Sequence, residues 1–198
     1  MPDRVADHYD RHAHAFDAAR RKQFVERNWL NRFLLAVPRG GQILDLGCGG
    51  GEPVARYMID GGHHLTGVDI SEKMIALARI RFPRHRWLKM DMRAAVMDRR
   101  FDGVLAWDSL FYLRREEQAA MIVRIAGWLE PGGGFLFNSG PASGETIGRQ
   151  FDEELFHASL NPAEYRELFA DLGLHETAYA PEDAATGGRT VWLLRKVR

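Results

Sequence analysis

The sequence predicts an α/β fold in which helices flank a mostly parallel sheet, and three observations support this prediction. A short apolar run from Ile43 to Leu46 passes into alternating glycines that end at Gly51, the pattern of a strand, a tight loop and a helix. Downstream, apolar runs of strand length alternate with segments of helical period. The chain has 198 residues, enough for one such domain that buries roughly 70% of its unfolded surface.

Composition and charge favour a small-molecule partner. The chain carries 27 basic and 27 acidic side chains, so a formal charge of zero offers no global attraction to nucleic acid or to a membrane. Its single cysteine, Cys48, excludes an internal disulfide and is interpreted as a small residue that fits the glycine turn. The start, Met1-Pro2-Asp3-Arg4, lacks an apolar signal region. We therefore expect a cytoplasmic protein, monomeric or homodimeric, with a single domain over residues 1–198.

The N-terminal region is predicted to be helical. Residues 10–37 contain no glycine or proline, and their apolar residues recur with a helical period. We expect one or two amphipathic helices that form a cap over residues 1–37. Three histidines, His8, His12 and His14, lie close together in this region. Because no cysteine or further ligand spacing accompanies them, they are interpreted as solvated histidines on a helix face, and no metal site is expected.

The glycine loop is the first candidate site. Gly47, Gly49 and Gly51 tolerate positive φ and lack Cβ atoms, so a ligand can lie directly against the backbone. Glu52-Pro53 can then open a helix whose first unpaired N–H groups face that ligand. A dinucleotide fingerprint would require glycine at position 52, so the loop departs from the nicotinamide-binding pattern by one residue.

Two further carboxylates are predicted at the edge of the sheet where the glycine loop lies. Asp69 follows the second strand about 20 residues after the loop, the spacing at which an acidic side chain meets ribose hydroxyls. Asp91 follows the third strand. Because parallel strands end at one edge, these side chains should lie near the glycines. The elements between them are predicted as a helix over 54–60, a strand over 64–68, a Ser71-capped helix over 72–81 and a strand over 86–90.

The second half of the chain continues the alternation. Asn161-Pro162-Ala163-Glu164 combines an N-cap residue, proline at the first helical position and glutamate three residues beyond the cap. Residues 139–160 have the weakest pattern and are expected to form a loop. The remaining predicted elements are strands over 101–107, 135–138, 175–179 and 190–196 and helices over 116–129 and 161–172.

These motifs identify a family resemblance. The segment Asp45-x-Gly47-x-Gly49-x-Gly51 and the later turn Leu129-Glu130-Pro131-Gly132-Gly133 resemble the class I S-adenosylmethionine-dependent methyltransferases of the small-molecule type. The resemblance covers about residues 40–197. It implies a Rossmann-like sheet of seven strands in the order 3-2-1-4-5-7-6, with strand 7 antiparallel. It also implies S-adenosylmethionine (SAM) as cofactor and S-adenosylhomocysteine as product.

The resemblance also implies positions for the cofactor. Asp69 would accept hydrogen bonds from the ribose hydroxyls, and Asp91 would accept one from the adenine amino group. Met92 would lie under the adenine ring. The full set of expected cofactor-binding residues is Asp45, Gly47, Cys48, Gly49, Gly51, Asp69, Ile70, Met74, Asp91, Met92 and Trp107.

The acceptor side is less defined by sequence. The segment from Tyr9 to Phe16 resembles one that small-molecule members fold over the methionine end of the donor. Trp107, Phe111 and Tyr112 could form an aromatic wall for the acceptor, although aromatic residues in such a stripe more often pack against a helix.

If the acceptor loses a proton, a general base is needed, and the candidates are Asp108 and His157. Asp108 could instead cap the turn that follows it. Since the methyl donor is already activated, positioning alone is the alternative to a base.

Other function classes are weighed against this one. The run Asp108-Ser109-Leu110-Phe111 lacks the prolines of nucleic-acid base methylases, and Phe137 stands where metal-dependent catechol-type enzymes have aspartate. An oxidoreductase is disfavoured by the glycine spacing and by the lack of a Tyr-x-x-x-Lys motif. A non-catalytic SAM-binding module would carry the same donor motifs. An open cavity beside the reacting methyl group would distinguish an enzyme from that module.

Overall fold

The computed structural model describes residues 4–197, and the chain is organised around a seven-stranded sheet. Residues 1–3 and 198, which include the start of the expected N-terminal cap, lie outside the described residues. The strands are β1 (Gln42–Leu46), β2 (His64–Asp69), β3 (Arg86–Lys89), β4 (Phe101–Ala106), β5 (Leu129–Ser139), β6 (Gly144–Gln150), β7 (Glu153–Ser159), β8 (Leu174–Asp183) and β9 (Arg189–Lys196). The helices are α1 (Val5–Arg20), α2 (Arg27–Leu34), α3 (Val54–Asp60), α4 (Glu72–Arg81), α5 (Arg115–Trp128) and α6 (Pro162–Asp171).

The strand order of the main sheet is β3-β2-β1-β4-β5-β9-β8. The first five of these strands pair in parallel, and β9 lies antiparallel between β5 and β8. This confirms the predicted Rossmann-like class and order, because β9 and β8 are the seventh and sixth strands of the main sheet. The parallel strands bring the residues that follow β1, β2, β3 and β4 to one edge.

Separate apolar clusters cover the two faces of the sheet. Leu44 and Leu46 of β1 pack into the cluster beneath α5 and α6, whereas Ile43 packs into the cluster beneath α2, α3 and α4. Successive strand residues point to opposite faces, so a strand buried on both sides needs the continuous apolar run seen here. Burial of each such side chain stabilises the fold by about 1.5–3 kcal/mol.

Helix ends follow the predicted capping pattern. The Ser71 hydroxyl accepts a hydrogen bond from the Met74 amide at 3.2 Å, which begins α4. At α6, the Asn161 side chain accepts from the Glu164 amide at 2.9 Å, and Glu164 accepts from the Asn161 amide at 2.8 Å. Each cap satisfies amides that the helix leaves unpaired and contributes about 1 kcal/mol.

The prediction of a loop over residues 139–160 is wrong. This segment forms an antiparallel hairpin of β6 and β7, in which Ile147 faces Phe156 and Thr146 faces His157. The turn places Phe151 and Asp152 at φ of 49° and 60°. Most of β6 is exposed, so its sequence carries no apolar run and only the packed partner strand reveals the pairing.

Helix α1 is held against α4 and the glycine loop. Arg81 of α4 donates two hydrogen bonds to Asp17 of α1, at 2.6 and 2.7 Å, and a third to the carbonyl of Gly50 at 3.0 Å. Asp17 is 6% exposed, so this ion pair lies inside the structure and its loss would leave a buried charge without its partner. Over residues 4–197, no helix combines the length and the apolar character needed to cross a membrane.

Candidate active site

The glycine loop opens onto a cavity at the carboxyl edge of the sheet. The amides of Gly47 and Cys48 donate to the carbonyl of Val68, at 2.8 and 3.1 Å, and so join the loop to the end of β2. Gly49 has a φ of +53°, and a Cβ atom built on it would meet nothing within 4 Å. The backbone at this position is therefore open to a ligand, as the sequence predicts.

Asp69 supports the loop from the neighbouring strand. Its Oδ2 accepts from the Gly49 amide at 2.8 Å, and its Oδ1 accepts from the Ser71 amide at 2.9 Å. Burial raises the pKa of this carboxyl, and the backbone hydrogen bonds from Ser71 and Gly49 partly oppose that rise. Each carboxylate oxygen keeps a further acceptor position, so Asp69 can still receive hydrogen bonds from a ligand.

Asp45 is the second carboxylate at the loop. It is 3% exposed and lines the same cavity. Burial, followed by the negative charge of Asp69, raises the pKa of Asp45 to about 7, and Arg20 acts in the opposite direction. A cationic ligand group beside these two carboxylates would relieve their repulsion.

Asp91 is paired within its own turn. Three groups of Arg93 donate to its carboxylate: Nη2 at 2.7 Å, Nε at 3.0 and 3.1 Å to the two oxygens, and the backbone amide at 2.9 Å. Burial raises the pKa of Asp91, but the Arg93 contacts outweigh it and the net pKa is lowered. Arg93 lines the cavity too, and a ligand amino group would share Asp91 with it.

The predicted cofactor residues converge on this cavity, with one exception. Gly51 does not line it: its φ is +83° and a Cβ atom would lie 2.8 Å from Cε2 of Phe82, so this glycine is required by packing. The predicted residues that do line the cavity are Asp45, Gly47, Cys48, Gly49, Asp69, Ile70, Met74, Asp91, Met92 and Trp107.

Helix α1 supplies lining residues that the sequence reasoning missed. Asp17 and Arg20 both line the cavity. Arg20 is only 17% exposed in its side chain and forms an ion pair with the buried Glu26. Charged residues on a long amphipathic helix give no local signal that separates a cavity-facing side chain from a solvated one.

A second, larger cavity adjoins the first and has a volume of about 780 Å³. Its walls come from the turn after β4, the end of β5, the β6–β7 hairpin and the segment before β9. The residues that line both cavities are Tyr9, Phe16, Arg20, Asp108 and Tyr112. The two cavities therefore adjoin at these five side chains.

Four of the five predicted aromatic residues, Tyr9, Phe16, Phe111 and Tyr112, line the second cavity, and Trp107 lines the first. The hydroxyls of Tyr9 and Tyr112 are 2.7 Å apart and share a hydrogen bond. Phe16 packs edge-on against Tyr9 with ring centroids 5.0 Å apart, and Phe111 adjoins Tyr112 at 4.8 Å. Burial raises the pKa of Tyr112 to about 12, so this phenol keeps its proton at neutral pH.

Asp108 adopts a constrained geometry. Its φ is +51°, which is uncommon for a residue with a side chain. The carboxylate accepts hydrogen bonds from Nε and Nη2 of Arg189, at 2.7 and 2.8 Å, and from Nδ2 of Asn138 at 2.8 Å. Among residues 4–197, the hydrogen bonds of this carboxylate go to Arg189 and Asn138 and not to an amide of the turn at Ser109, so the geometry does not support the capping alternative. Asp108 instead connects the end of β4 to Asn138 of β5 and Arg189 of β9.

His157 lies on β7 with its ring against the aromatic wall. The ring centroid is 4.9 Å from that of Phe111 and 5.2 Å from that of Tyr112. Its Nε2 atom is shielded from solvent and finds no hydrogen-bond partner among residues 4–197. Burial lowers the pKa of His157, while the charge of Asp108 raises it, with a net decrease. The imidazole is therefore neutral at neutral pH and can accept a proton.

The sequence of this chain is similar to those of known methyltransferases. Residues 43–133 match the methyltransferase domain family. The chain is 30% identical over 156 residues to a ubiquinone biosynthesis O-methyltransferase of Aromatoleum aromaticum, an alignment that covers 75% of this chain and 60% of that protein. It is 29% identical over 177 residues to the 27-O-demethylrifamycin SV methyltransferase of Amycolatopsis mediterranei, covering 80% of this chain and 62% of the other. The chain thus spans less than two thirds of the length of these curated relatives.

Two solved structures share the fold. SAM-bound CalS10, an amino pentose methyltransferase from Micromonospora echinaspora, superposes with a TM-score of 0.74 at 20% identity over 92% of this chain and 97% of its own. The Burkholderia thailandensis 1,6-didemethyltoxoflavin-N1-methyltransferase, solved with bound 1,6-didemethyltoxoflavin and S-adenosylhomocysteine, gives a TM-score of 0.75 at 20% identity, covering 98% of this chain and 88% of its own.

Proposed function

We propose that this chain, whose residues 43–133 match the methyltransferase domain family, is a class I SAM-dependent methyltransferase that transfers a methyl group from SAM to a small-molecule acceptor. The observation that supports this most directly is the pair of adjoining cavities. The first contains the glycine loop with Asp69, and the second is large enough for a small molecule. A non-catalytic SAM-binding module would have no use for the second cavity.

The residues of the first cavity fit this donor. The open backbone at Gly49 admits a bulky group, and Asp69 has acceptor positions for ribose hydroxyls. Asp45 places a buried carboxylate where a cationic ligand would find a partner. When bound, SAM supplies an electrophilic methyl group on a sulfonium.

The residues that line both cavities would orient the acceptor. Tyr9 and Tyr112 share a hydroxyl hydrogen bond, and Phe16 packs against Tyr9, so these side chains are held in place where the two cavities adjoin. Alignment of two reacting groups can lower a barrier by roughly 7 kcal/mol or more. We assign the main catalytic contribution to this positioning.

Where the acceptor loses a proton, we assign the general base to His157. Its ring lines the second cavity beside Phe111 and Tyr112, and its lowered pKa keeps the ring neutral. Asp108 is the weaker candidate because Arg189 and Asn138 already occupy its carboxylate. Asp108 then acts by positioning the wall between the cavities.

The remaining expectations stay part of this proposal. The zero formal charge supports an acceptor that is neither nucleic acid nor a membrane component. The single cysteine supports a cytoplasmic location, and we expect one domain that acts as a monomer or homodimer.

Calorimetric titration with SAM tests the donor assignment. A charge-assisted hydrogen bond contributes about 1.5–3 kcal/mol, so Asp69→Ala should weaken SAM binding by roughly ten- to a hundredfold. Asp60→Ala, at an exposed carboxylate of α3, is the matched control and should bind normally. Equal affinity in wild type and a folded Asp69→Ala protein would overturn the proposed cofactor site. Release of S-adenosylhomocysteine across a panel of hydroxyl, amine and thiol acceptors then identifies the acceptor class.

A further inference from the structure

A cluster of two histidines and a glutamate joins α1 to the β6–β7 hairpin. His8 and His12 are one turn apart on α1, and Glu153 is the first residue of β7. His8 Nδ1 is 2.9 Å from Glu153 Oε2, and His12 Nε2 is 3.0 Å from Glu153 Oε1. One ligand atom from each of the three residues lies within 4.8 Å of the others. The expectation that these histidines are solvated is wrong for His8, which is fully buried.

The geometry of this cluster is close to that of a metal site. Tetrahedral zinc with bonds of about 2.0–2.1 Å holds its ligand atoms roughly 3.3 Å apart. Each of the two imidazole nitrogens already lies near that distance from one oxygen of Glu153, and three ligand atoms, one from each residue, lie within 4.8 Å of one another, so small rotations of the side chains would bring them to a common ion. Histidines at positions i and i+4 of a helix present their rings on one face, which suits joint coordination.

The surroundings of the two imidazoles support the same interpretation. His8 Nε2 lies 3.0 Å from Oε1 of Gln150, so the ring can donate to that carbonyl while Nδ1 faces the ion position. Zinc-binding histidines are commonly oriented in this way by a partner on the other ring nitrogen. The His12 ring stacks on Phe151, with centroids 4.8 Å apart and an angle of 13° between the planes.

We propose that His8, His12 and Glu153 bind a zinc ion, which connects α1 to the β6–β7 hairpin. Two imidazoles and one carboxylate form a donor set that zinc accepts, with water in the fourth position. Tyr9 follows His8 in the chain, and Gln150 and Phe151 precede Glu153; all three line the second cavity. Zinc binding would therefore stabilise one wall of the larger cavity.

Arg11 provides the competing interaction. It donates to both oxygens of Glu153, at 3.0 and 2.6 Å, and can neutralise that carboxylate in the absence of an ion. A guanidinium beside a divalent cation is repelled by it, so Arg11→Gln should tighten zinc binding. Weaker zinc binding in this variant would contradict a ligand role for Glu153.

The test uses untagged protein, dialysed first against chelator and then against zinc chloride, with bound metal measured by elemental analysis. We expect one zinc per chain in the wild type, and a loss of affinity of at least tenfold in His12→Phe and in Glu153→Gln. His14→Phe is the matched control, because His14 is an exposed histidine of the same helix. It should bind zinc as the wild type does.

Cobalt substitution adds a geometric readout, because a tetrahedral cobalt site absorbs visible light strongly. His12→Phe keeps an aromatic ring to stack on Phe151, and the metal-free melting temperature and circular dichroism of each variant verify its fold. The proposal is overturned if the folded wild type binds no stoichiometric zinc. It is also overturned if zinc affinity is equal in wild type, His12→Phe and Glu153→Gln, or if His14→Phe lowers it as much as they do.

Discussion

Replacement of Asp45 by asparagine should stabilise the ligand-free protein at alkaline pH while weakening donor binding. The native pKa of Asp45 is about 7, above the ordinary value near 4, because the carboxyl is buried beside Asp69. The native state therefore holds this proton to higher pH than the unfolded state does. The resulting stability is fully present below about pH 4 and is lost as pH rises through about 7.

The size of this loss of stability depends on how many pH units separate the starting pH from the native pKa of Asp45. Between pH 5 and the pKa of about 7, the unfolded state has lost the Asp45 proton and the native state still holds it, so the free energy of unfolding falls by roughly 1.4 kcal/mol for each of about two pH units. Above the pKa the carboxyl is ionised in both states, and little more is lost up to pH 8. The free energy of unfolding of the wild type should therefore fall by about 2–3 kcal/mol from this group alone. Asparagine does not ionise, so the stability of Asp45→Asn relative to wild type should increase by the same amount.

Urea denaturation of both proteins at pH 5 and pH 8 measures this difference directly. Other carboxyls titrate in both proteins, so the comparison isolates Asp45 and its coupling to Asp69. If the difference in stability between the two proteins is the same at both pH values, the claim that burial raises the pKa of Asp45 is refuted. Titration of SAM at pH 8 should show roughly ten- to a hundredfold weaker binding to the variant, since a charge facing the cationic donor is gone. Asp45→Asn would therefore be more stable than the wild type at pH 8 but would lack the negative charge that favours SAM binding.

Three further predictions concern the glycine loop and the second cavity. Gly49→Val should abolish SAM binding by calorimetry, and although nothing lies near its Cβ, the φ of +53° should also strain the turn and lower stability. Gly51→Ala should lower stability through its positive φ and through contact with Phe82. In Asp108→Asn, single-turnover transfer at neutral pH should slow little if the residue only positions the wall, and a loss of about 10²-fold or more would restore it as base. With a proton-losing acceptor, the wild-type rate should rise with pH through a midpoint below the ordinary histidine value of about 6.5, since only the neutral ring of His157 accepts a proton. His157→Gln should flatten that profile, and an unchanged profile would exclude His157 as base.

Much of the donor site could be predicted from local sequence. The run from Ile43 to Leu46 is apolar because β1 is buried on both faces, and the glycines that follow it have the positive φ values that the ligand-facing loop requires. Asp69 lies beside the glycine loop because it ends β2, and the parallel strands β1 and β2 end at the same edge of the sheet. Ser71 and Asn161 cap the helices that their sequences predict, since a cap depends on residues only three positions apart.

The acceptor side depended on contacts that no local pattern encodes. The sequence left Asp108 as base or cap, and the structure pairs it with Arg189, 81 residues away. His8 appears in sequence as one of three surface histidines, but Glu153, 145 positions later, meets it only because the β6–β7 hairpin folds onto α1. Helical and strand periods report which face of an element is buried over about 10–15 residues. They carry no information on which distant side chain meets a polar group, because that partner is selected when the sheet edge, α1 and the hairpin pack together.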